Sequence, residues 1–405
     1  MATVDAAERP LAERLRRLSE PKAVALLGIA LGVLALWLAL PPWTVRAAGV
    51  PIAVGLLGGF AGGWGLMRDE RKLGIMAIVV AGLGIAGALF LQGRDEASLQ
   101  AVFSVGLVTA TLRFATPLAF AAIGGIFNER AGVVNIGLEG MMLAGAFFGI
   151  YMAAETGSWV LGILGAMVAG AVFGLIHAFF TITMRADQIV IGFAINFLAL
   201  GLTGYLFRSI DGAQGTPSDV PRIPNVTLPE FVRDIPFLGP VIGNLSVMTW
   251  LILALVVLAW VVLFKTPIGL RLRSVGEHPR AAETVGISVY KIRYGAVILS
   301  GILAALGGAY ISFGFGGSFN ENMSGGRGFI ALAAVIFGKW HPVGAFGACL
   351  LFGFASGLAQ RLQGEVGLSA NLLSILPYAL VLVALVGVIG RSRPPAAVGR
   401  PYVKQ

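Results

Sequence analysis

The chain has 405 residues, of which 57% are hydrophobic and 12% are Asp, Glu, Lys or Arg. Soluble domains carry about a quarter charged residues. The deficit argues against a water-soluble enzyme or a nucleic-acid-binding module, despite a net charge of +9. At about 20 residues per bilayer crossing, the apolar content suffices for roughly ten to twelve spans, the mark of an all-α polytopic membrane protein.

Residues 1–22 form a mixed-charge N-terminal segment placed in the cytoplasm, and the apolar run that follows reads as an uncleaved first helix. Apolar stretches lie at 24–40, 47–67, 73–91, 99–127, 132–154, 159–184, 188–207, 247–265, 293–313, 328–339, 343–361 and 371–390. The stretch 99–127 is interrupted by Pro117, and 328–339 is short. Short or broken helices in membranes pack inside protein or line a cavity.

With both termini inside, 21 of the 29 basic residues fall in inside segments and seven in outside loops. Lys and Arg gather on the cytoplasmic side of membrane proteins, so this three-to-one bias sets the orientation. The external loop, 208–246, is rich in Pro and Gly and reads as an ordered cap. The connection 265–293 is the long cytoplasmic one, and 391–405 is a cytoplasmic tail.

Residues 128–142, NERAGVVNIGLEGMM, begin at a charged turn and run into a span. At the helical rise, Glu139 lies roughly 13 Å into the membrane, where a carboxylate must face protein or water. Asn135, four residues earlier, is expected on the same helix face. Glu139 reads equally as a structural contact between helices or as a polar contact in a substrate path.

Arg113 also sits within a span, and the carbonyl freed by Pro117 is its expected partner. Asn196 reads as an interhelical hydrogen bond first and a pathway group second. His177 and Thr181, one turn apart, read the same way. Residues 312–328, SFGFGGSFNENMSGGRG, form a Gly-rich outer segment leading into the short helix. There Asn320, Asn322 and Ser324 are candidates for contact with a sugar or base, the alternative being a flexible external loop.

In the connection, Gly276, Glu277, His278 and Pro279 make a turn. Pro279 can begin a short helix, 279–285, which includes Ala282 and stops at Gly286. Such a helix across the membrane face can pass a push from a soluble motor to the spans; the plainer reading is a solvated loop. The sequence contains no G-x-x-x-x-G-K-[ST] loop, so ATP hydrolysis through that device is not expected on this chain. Cys349 is the single cysteine, which excludes an internal disulfide and a Cys-based zinc site, and the three His residues form no metal constellation.

ERAGVVNIGLEGMM at 129–142, preceded by ATPLAFAAIGGIF at 115–127, resembles the permease subunit of nucleoside ABC importers, within the branched-chain amino acid/ribose permease family. GEHPRAAETVGI at 276–287 resembles that family's ATPase-coupling segment. The resemblance spans about residues 99–390. It implies a type II importer core of about ten helices, here 73–390, with residues 23–72 as two extra N-terminal helices. It implies no cofactor on this chain, ATP being bound by partner ATP-binding subunits. The further partners it implies are a second permease subunit, often different, and an external substrate-binding lipoprotein, all at a bacterial inner membrane. Simple sugars or branched-chain amino acids are alternative cargoes. An ion-coupled secondary transporter using Glu139 and Arg113 and a non-transporting membrane scaffold are the rival classes.

Overall fold

The computed structural model describes residues 20–39, 49–91, 104–210, 220–235, 238–366, 375 and 392–403. The expected span 371–390 and most of the N-terminal segment 1–22 lie outside the described residues. Helices occupy each of the other eleven expected spans. Seven helices among the described residues are long and apolar enough to cross a membrane, and the chain is an all-α, multi-pass protein.

The chain divides into two compact units, residues 1–104 with 359–390, and 105–358 with 391–405. In the first unit, α1 (Glu20–Ala39), α2 (Gly49–Met67) and α3 (Arg71–Leu91) pack on one another. Lys22 pairs with Glu70 at 3.6 Å. The sequence reading ended the N-terminal addition at residue 72, as two helices. In the structure α3, the first helix of the expected core, packs against both of them. Small residues explain this, because Gly62 and Gly74 of facing helices approach closely enough for backbone contact.

The second unit holds α4 (Val105–Arg130), α5 (Leu138–Thr156), α6 (Trp159–Ala178) and α7 (Gln188–Ile210). After them come α8 (Glu230–Arg233), α9 (Leu238–Ile242) and α10 (Val247–Lys265). The connection that follows is itself helical, as α11 (Pro267–Glu277) and α12 (Pro279–Thr284). Then come α13 (Val289–Ala309), α14 (Arg327–Phe337) and α15 (Pro342–Val366), which continues into the first unit. α6 and α13 each run on into a π-helical turn, Phe179–Thr183 and Tyr310–Gly316. A two-stranded antiparallel hairpin, β1 (Asn225–Thr227) with β2 (Asn244–Ser246), supplies the order expected of the 208–246 cap.

α13 is the axis of this unit and packs against α4, α5 and α6. Its inward positions are small residues, and at one crossing nothing larger than hydrogen fits. A Cβ on Gly301 would stand 2.2 Å from the Gly170 carbonyl oxygen, and a Cβ on Gly170 would stand 2.3 Å from that of Gly301. Helices in lipid associate through such close backbone approach, because no hydrophobic drive separates a helix surface from lipid tails.

Overpacking a tight site costs about 1–3 kcal/mol. Gly301→Val is therefore expected to lower the thermal midpoint in detergent. Gly295→Ala, on the same helix with open space beside it, should leave the midpoint unchanged.

Candidate functional site

The stretch expected as one span from residue 132 to 154 is not helical at its start. α4 ends at Arg130, and residues 131–137 run as turns and irregular backbone before α5 begins at Leu138. Most of these seven residues are buried. Ala131 N bonds to the Phe127 carbonyl, and Gly132 N and Val133 N bond to the Glu129 and Asn128 carbonyls, closing α4 in a Schellman stop at Gly132, φ +88°. The backbone groups beyond it, away from water, must find other partners. Side chains from three helices supply them.

Asn128 Nδ2, at the end of α4, donates to the Val133 carbonyl at 2.8 Å. Gln188 Oε1, the first residue of α7, accepts from Val134 N at 2.6 Å. His177 Nε2, on α6, lies 3.0 Å from the Val134 carbonyl and donates to it. Asn196, also on α7, works in both directions. Its Nδ2 donates to the Ile136 carbonyl at 3.1 Å, and its Oδ1 accepts from Gly140 N at 2.8 Å. The interhelical hydrogen bond expected of Asn196 is thus a two-way clamp on irregular backbone.

Asn135 and Glu139 do not share a helix face, because the backbone between them is not helical. Asn135 lies within the irregular stretch and donates to Ser300 Oγ at 3.3 Å. Its buried Oδ1 has no hydrogen-bond partner among the described residues. Glu139 stands in the first turn of α5 and reaches across to α14. Its Oε1 accepts from Gly326 N at 2.7 Å and its Oε2 from Gly328 N at 2.6 Å. The carboxylate thereby satisfies N–H groups at the start of the short helix, which have no intrahelical partner. Gly328 permits the approach: a Cβ there would stand 2.4 Å from Glu139 N. Glu139 thus ties the first turn of α5 to the start of α14.

Arg113 does not bond to the carbonyl freed by Pro117. Its guanidinium lies over the Phe315 ring, 3.6 Å from the centroid, a cation–π contact. The π-helical turn at the end of α13 presents that ring. Arg113 and Glu139 form no ion pair, since the Glu139 oxygens are engaged with α14. Arg113 lines a partly open cavity of about 530 Å³ with Thr109, Arg222, Thr249, Tyr310 and Phe315, and the β1–β2 hairpin borders it through Asn225 and Asn244. Sites for small organic ligands occupy roughly 300–1,000 Å³ and combine apolar walls with a few polar groups. None of the residues lining this cavity is an Asp or Glu.

Asn320 and Asn322 lie outside that cavity's lining. Both are exposed, in the turns between α13 and α14, and Asn322 adopts φ +57°. Between them Glu321 pairs with Arg208 at 2.9 Å. Ser324 is buried just before α14.

The other end of the unit carries the coupling candidates. Pro279 opens α12, as expected, and the helix closes one residue earlier than expected, at Thr284. Gly286 takes φ +83°, its N–H bonds to the Glu283 carbonyl at 2.9 Å, and Ile287 N bonds to the Ala282 carbonyl at 3.1 Å. This pair of bonds is the Schellman stop that Gly serves best. Ala282 is buried, and His278 is the extended joint between α11 and α12. Gly276 and Glu277, at the end of α11, bond to residues beyond 391 through the Gly276 carbonyl and Glu277 Oε2.

Close by, Trp340 Nε1 donates to Glu129 Oε2, while Arg130 donates to the Trp340 carbonyl. His341 stacks on Phe264, with ring centroids 5.0 Å apart. Burial, and then the Arg130 charge, lowers the His341 pKa below the ordinary imidazole value. Gln188, Glu129, Trp340, Arg222 and Phe315 escaped the sequence reading. The polar ones stand at span edges, where such residues are ordinary, so position alone gave no signal.

A multi-pass helical body with a buried irregular stretch, a polar cavity and a helical connection across one end is the architecture of a membrane permease. The chain matches the family described as branched-chain amino acid transport system / permease component over residues 107–385, and it belongs to that family. It is 46% identical to the guanosine ABC transporter permease protein NupQ of Bacillus subtilis, over 74% of this chain and 96% of that one. It is 40% identical to the nucleoside ABC transporter permease protein NupC of Lactococcus lactis, over 74% and 96%. It is 34% identical to a putative glucose ABC transporter permease protein, TsgC13, of Haloferax volcanii, over 64% and 79%. No solved structure matches the chain. The protein is a transport subunit, not an enzyme.

Removing one acceptor from a buried N–H costs about 1–3 kcal/mol. Glu139→Gln replaces one carboxylate oxygen with an amide NH2, which cannot accept. The variant is therefore expected to lose detergent thermal stability together with transport. Lost transport at wild-type stability would instead assign Glu139 to the substrate.

Proposed function

We propose that the chain is the transmembrane permease subunit of an ATP-driven importer of nucleosides. The observation that carries this reading is the likeness, over 74% of this chain and nearly the whole of each relative, to two nucleoside permeases, at 46% and 40% identity. The relative named for glucose is more distant, at 34%. The chemistry of the cavity agrees. A nucleoside is uncharged and amphipathic, and it needs aromatic faces together with hydrogen-bond donors and acceptors. Phe315 and Tyr310 offer the faces. Thr109, Thr249, Asn225 and Asn244 offer hydroxyls and amides, and Arg113 and Arg222 offer donors. The buried Oδ1 of Asn135, without a hydrogen-bond partner among the described residues, is the reason for placing that side chain on the inward path.

ATP is bound and hydrolysed on separate ATP-binding subunits, which grip the α11–α12 pair around Glu277, Pro279 and Ala282. A second, different permease subunit completes the path. An external binding lipoprotein delivers cargo near the β1–β2 hairpin, with Asn320 and Asn322 on the same outer face. Both termini lie in the cytoplasm of a bacterial inner membrane, as the distribution of Lys and Arg favours. Transport is by alternating access. Ion coupling through an Arg113–Glu139 pair is not favoured, since each group has another partner.

The test is reconstitution of the complete complex in vesicles. Uptake of radiolabelled guanosine should require ATP and the ATPase subunits, and unlabelled glucose or leucine should not compete. Uptake driven by an ion gradient without ATPase subunits would refute the reading. A hydrogen bond from a charged donor is worth about 1.5–3 kcal/mol, so Arg113→Ala is expected to cut uptake by about tenfold or more.

A further inference from the structure

Residues 392–403 follow the last expected span, and a polar segment there would ordinarily trail into solvent. This one is bound along its length. Ser392 Oγ donates to the Ile336 carbonyl, at the end of α14, at 3.2 Å. Ala396 N donates to Glu277 Oε2 at 3.1 Å, and Ala397 N donates to the Gly276 carbonyl at 2.9 Å, so the tail grips the end of α11. The Arg400 carbonyl accepts from Arg293 Nη1 at 3.1 Å. Tyr402 donates its hydroxyl to Glu283 of α12. Its ring, 5% exposed, completes an apolar cluster with Val275, Ala282 and Val289.

The same tail touches the irregular stretch 131–137. A Cβ on Gly132, which takes φ +88°, would stand 2.9 Å from Arg293 Nη2 and 3.3 Å from the Ala397 carbonyl oxygen. One dozen residues therefore contact the connection α11–α12, the buried Arg293 and the stretch whose backbone Asn196 and Gln188 hold.

We infer that residues 392–403 are a positioning strap that makes the α11–α12 pair and the irregular stretch 131–137 move as one piece, with Tyr402 as its anchor. This rests on the permease reading, in which the ATPase subunits grip α11–α12. The tail then lies in the line of force between nucleotide-driven motion and the substrate path. Tyr402 acts through Glu283 and the apolar cluster and touches no substrate. The strap explains why the Glu277 and Glu283 carboxylates face a tail as well as a solvent surface.

The experiment uses the complete complex with its ATPases and binding protein. Tyr402→Phe removes the hydroxyl and keeps the ring, and Tyr402→Ala removes both. ATPase subunits should co-purify with both variants at wild-type stoichiometry. ATP consumed per nucleoside imported should rise by about fivefold or more in Tyr402→Ala, and less in Tyr402→Phe. Amide exchange across residues 279–284 should quicken in the same order. Adding Glu283→Gln to Tyr402→Phe should do little more than either alone, since the two remove one contact.

A wild-type coupling ratio in Tyr402→Ala overturns the inference, even if exchange quickens, because the tail then only stabilises the fold. Unchanged exchange overturns it as well. Loss of the ATPase subunits from Tyr402→Phe also overturns it, by making the tail a docking contact. Absence of ATP-driven uptake in the unmodified complex would strike the permease reading instead, and the exchange measurement would still judge the strap.

Discussion

Seven residues of non-helical backbone inside a helical membrane protein impose the constraint on which the second unit depends. In a medium without water, each unpaired N–H or C=O costs several kcal/mol. Past the stop at Gly132, the stretch holds its course because Asn128, His177, Gln188 and Asn196 present matching groups at 2.6–3.1 Å. These side chains come from α4, α6 and α7, and Asn135 adds a bond to Ser300 on α13. A break in one helix thus fixes the positions of four others. Asn196 has the largest share, since it clamps both the end of the stretch and the start of α5.

Around this clamp the packing is made of small residues. The Gly170–Gly301 crossing holds backbones at contact distance, which leaves little room for one helix to slide against the next. Motion is then favoured at junctions instead of within the bundle. The π-helical turns at the ends of α6 and α13 and the Schellman stop after α12 are such junctions. The Tyr310–Gly316 turn aims Phe315 at Arg113, so a change in winding there would alter the wall of the cavity.

Much of this was legible in the sequence. Apolar run lengths placed eleven helices, and Pro279 and Gly286 marked α12 to within a residue because both act locally, through fixed φ and tolerance of positive φ. The shortness of α14 was visible as well. The stop of α4 is local, since Gly132 takes φ +88° and closes a Schellman motif. That the chain then stays irregular through residue 137 was not legible, since VVN and IGLEG carry no strong turn signal and the side chains that hold them lie 40 to 60 residues away. Placing Asn135 and Glu139 on one face failed for that reason. The partner of Arg113 was missed because Phe315 lies about 200 residues downstream, and the packing of α3 on α1 and α2 rests on glycine contacts between helices that hydropathy does not record. In each case a local rule held until a distant side chain overrode it.

The capping of α14 has an electrostatic consequence. An 11-residue helix spans about 16 Å, half of a hydrocarbon core of about 30 Å, and its N-terminus carries the positive end of its macrodipole. Half-helices of this kind commonly serve as anion receptors. Here the receptor is filled permanently by the protein's own Glu139. An incoming phosphate or carboxylate would find that field already neutralised and a fixed negative charge in its place, whereas an electrically silent solute would meet no penalty.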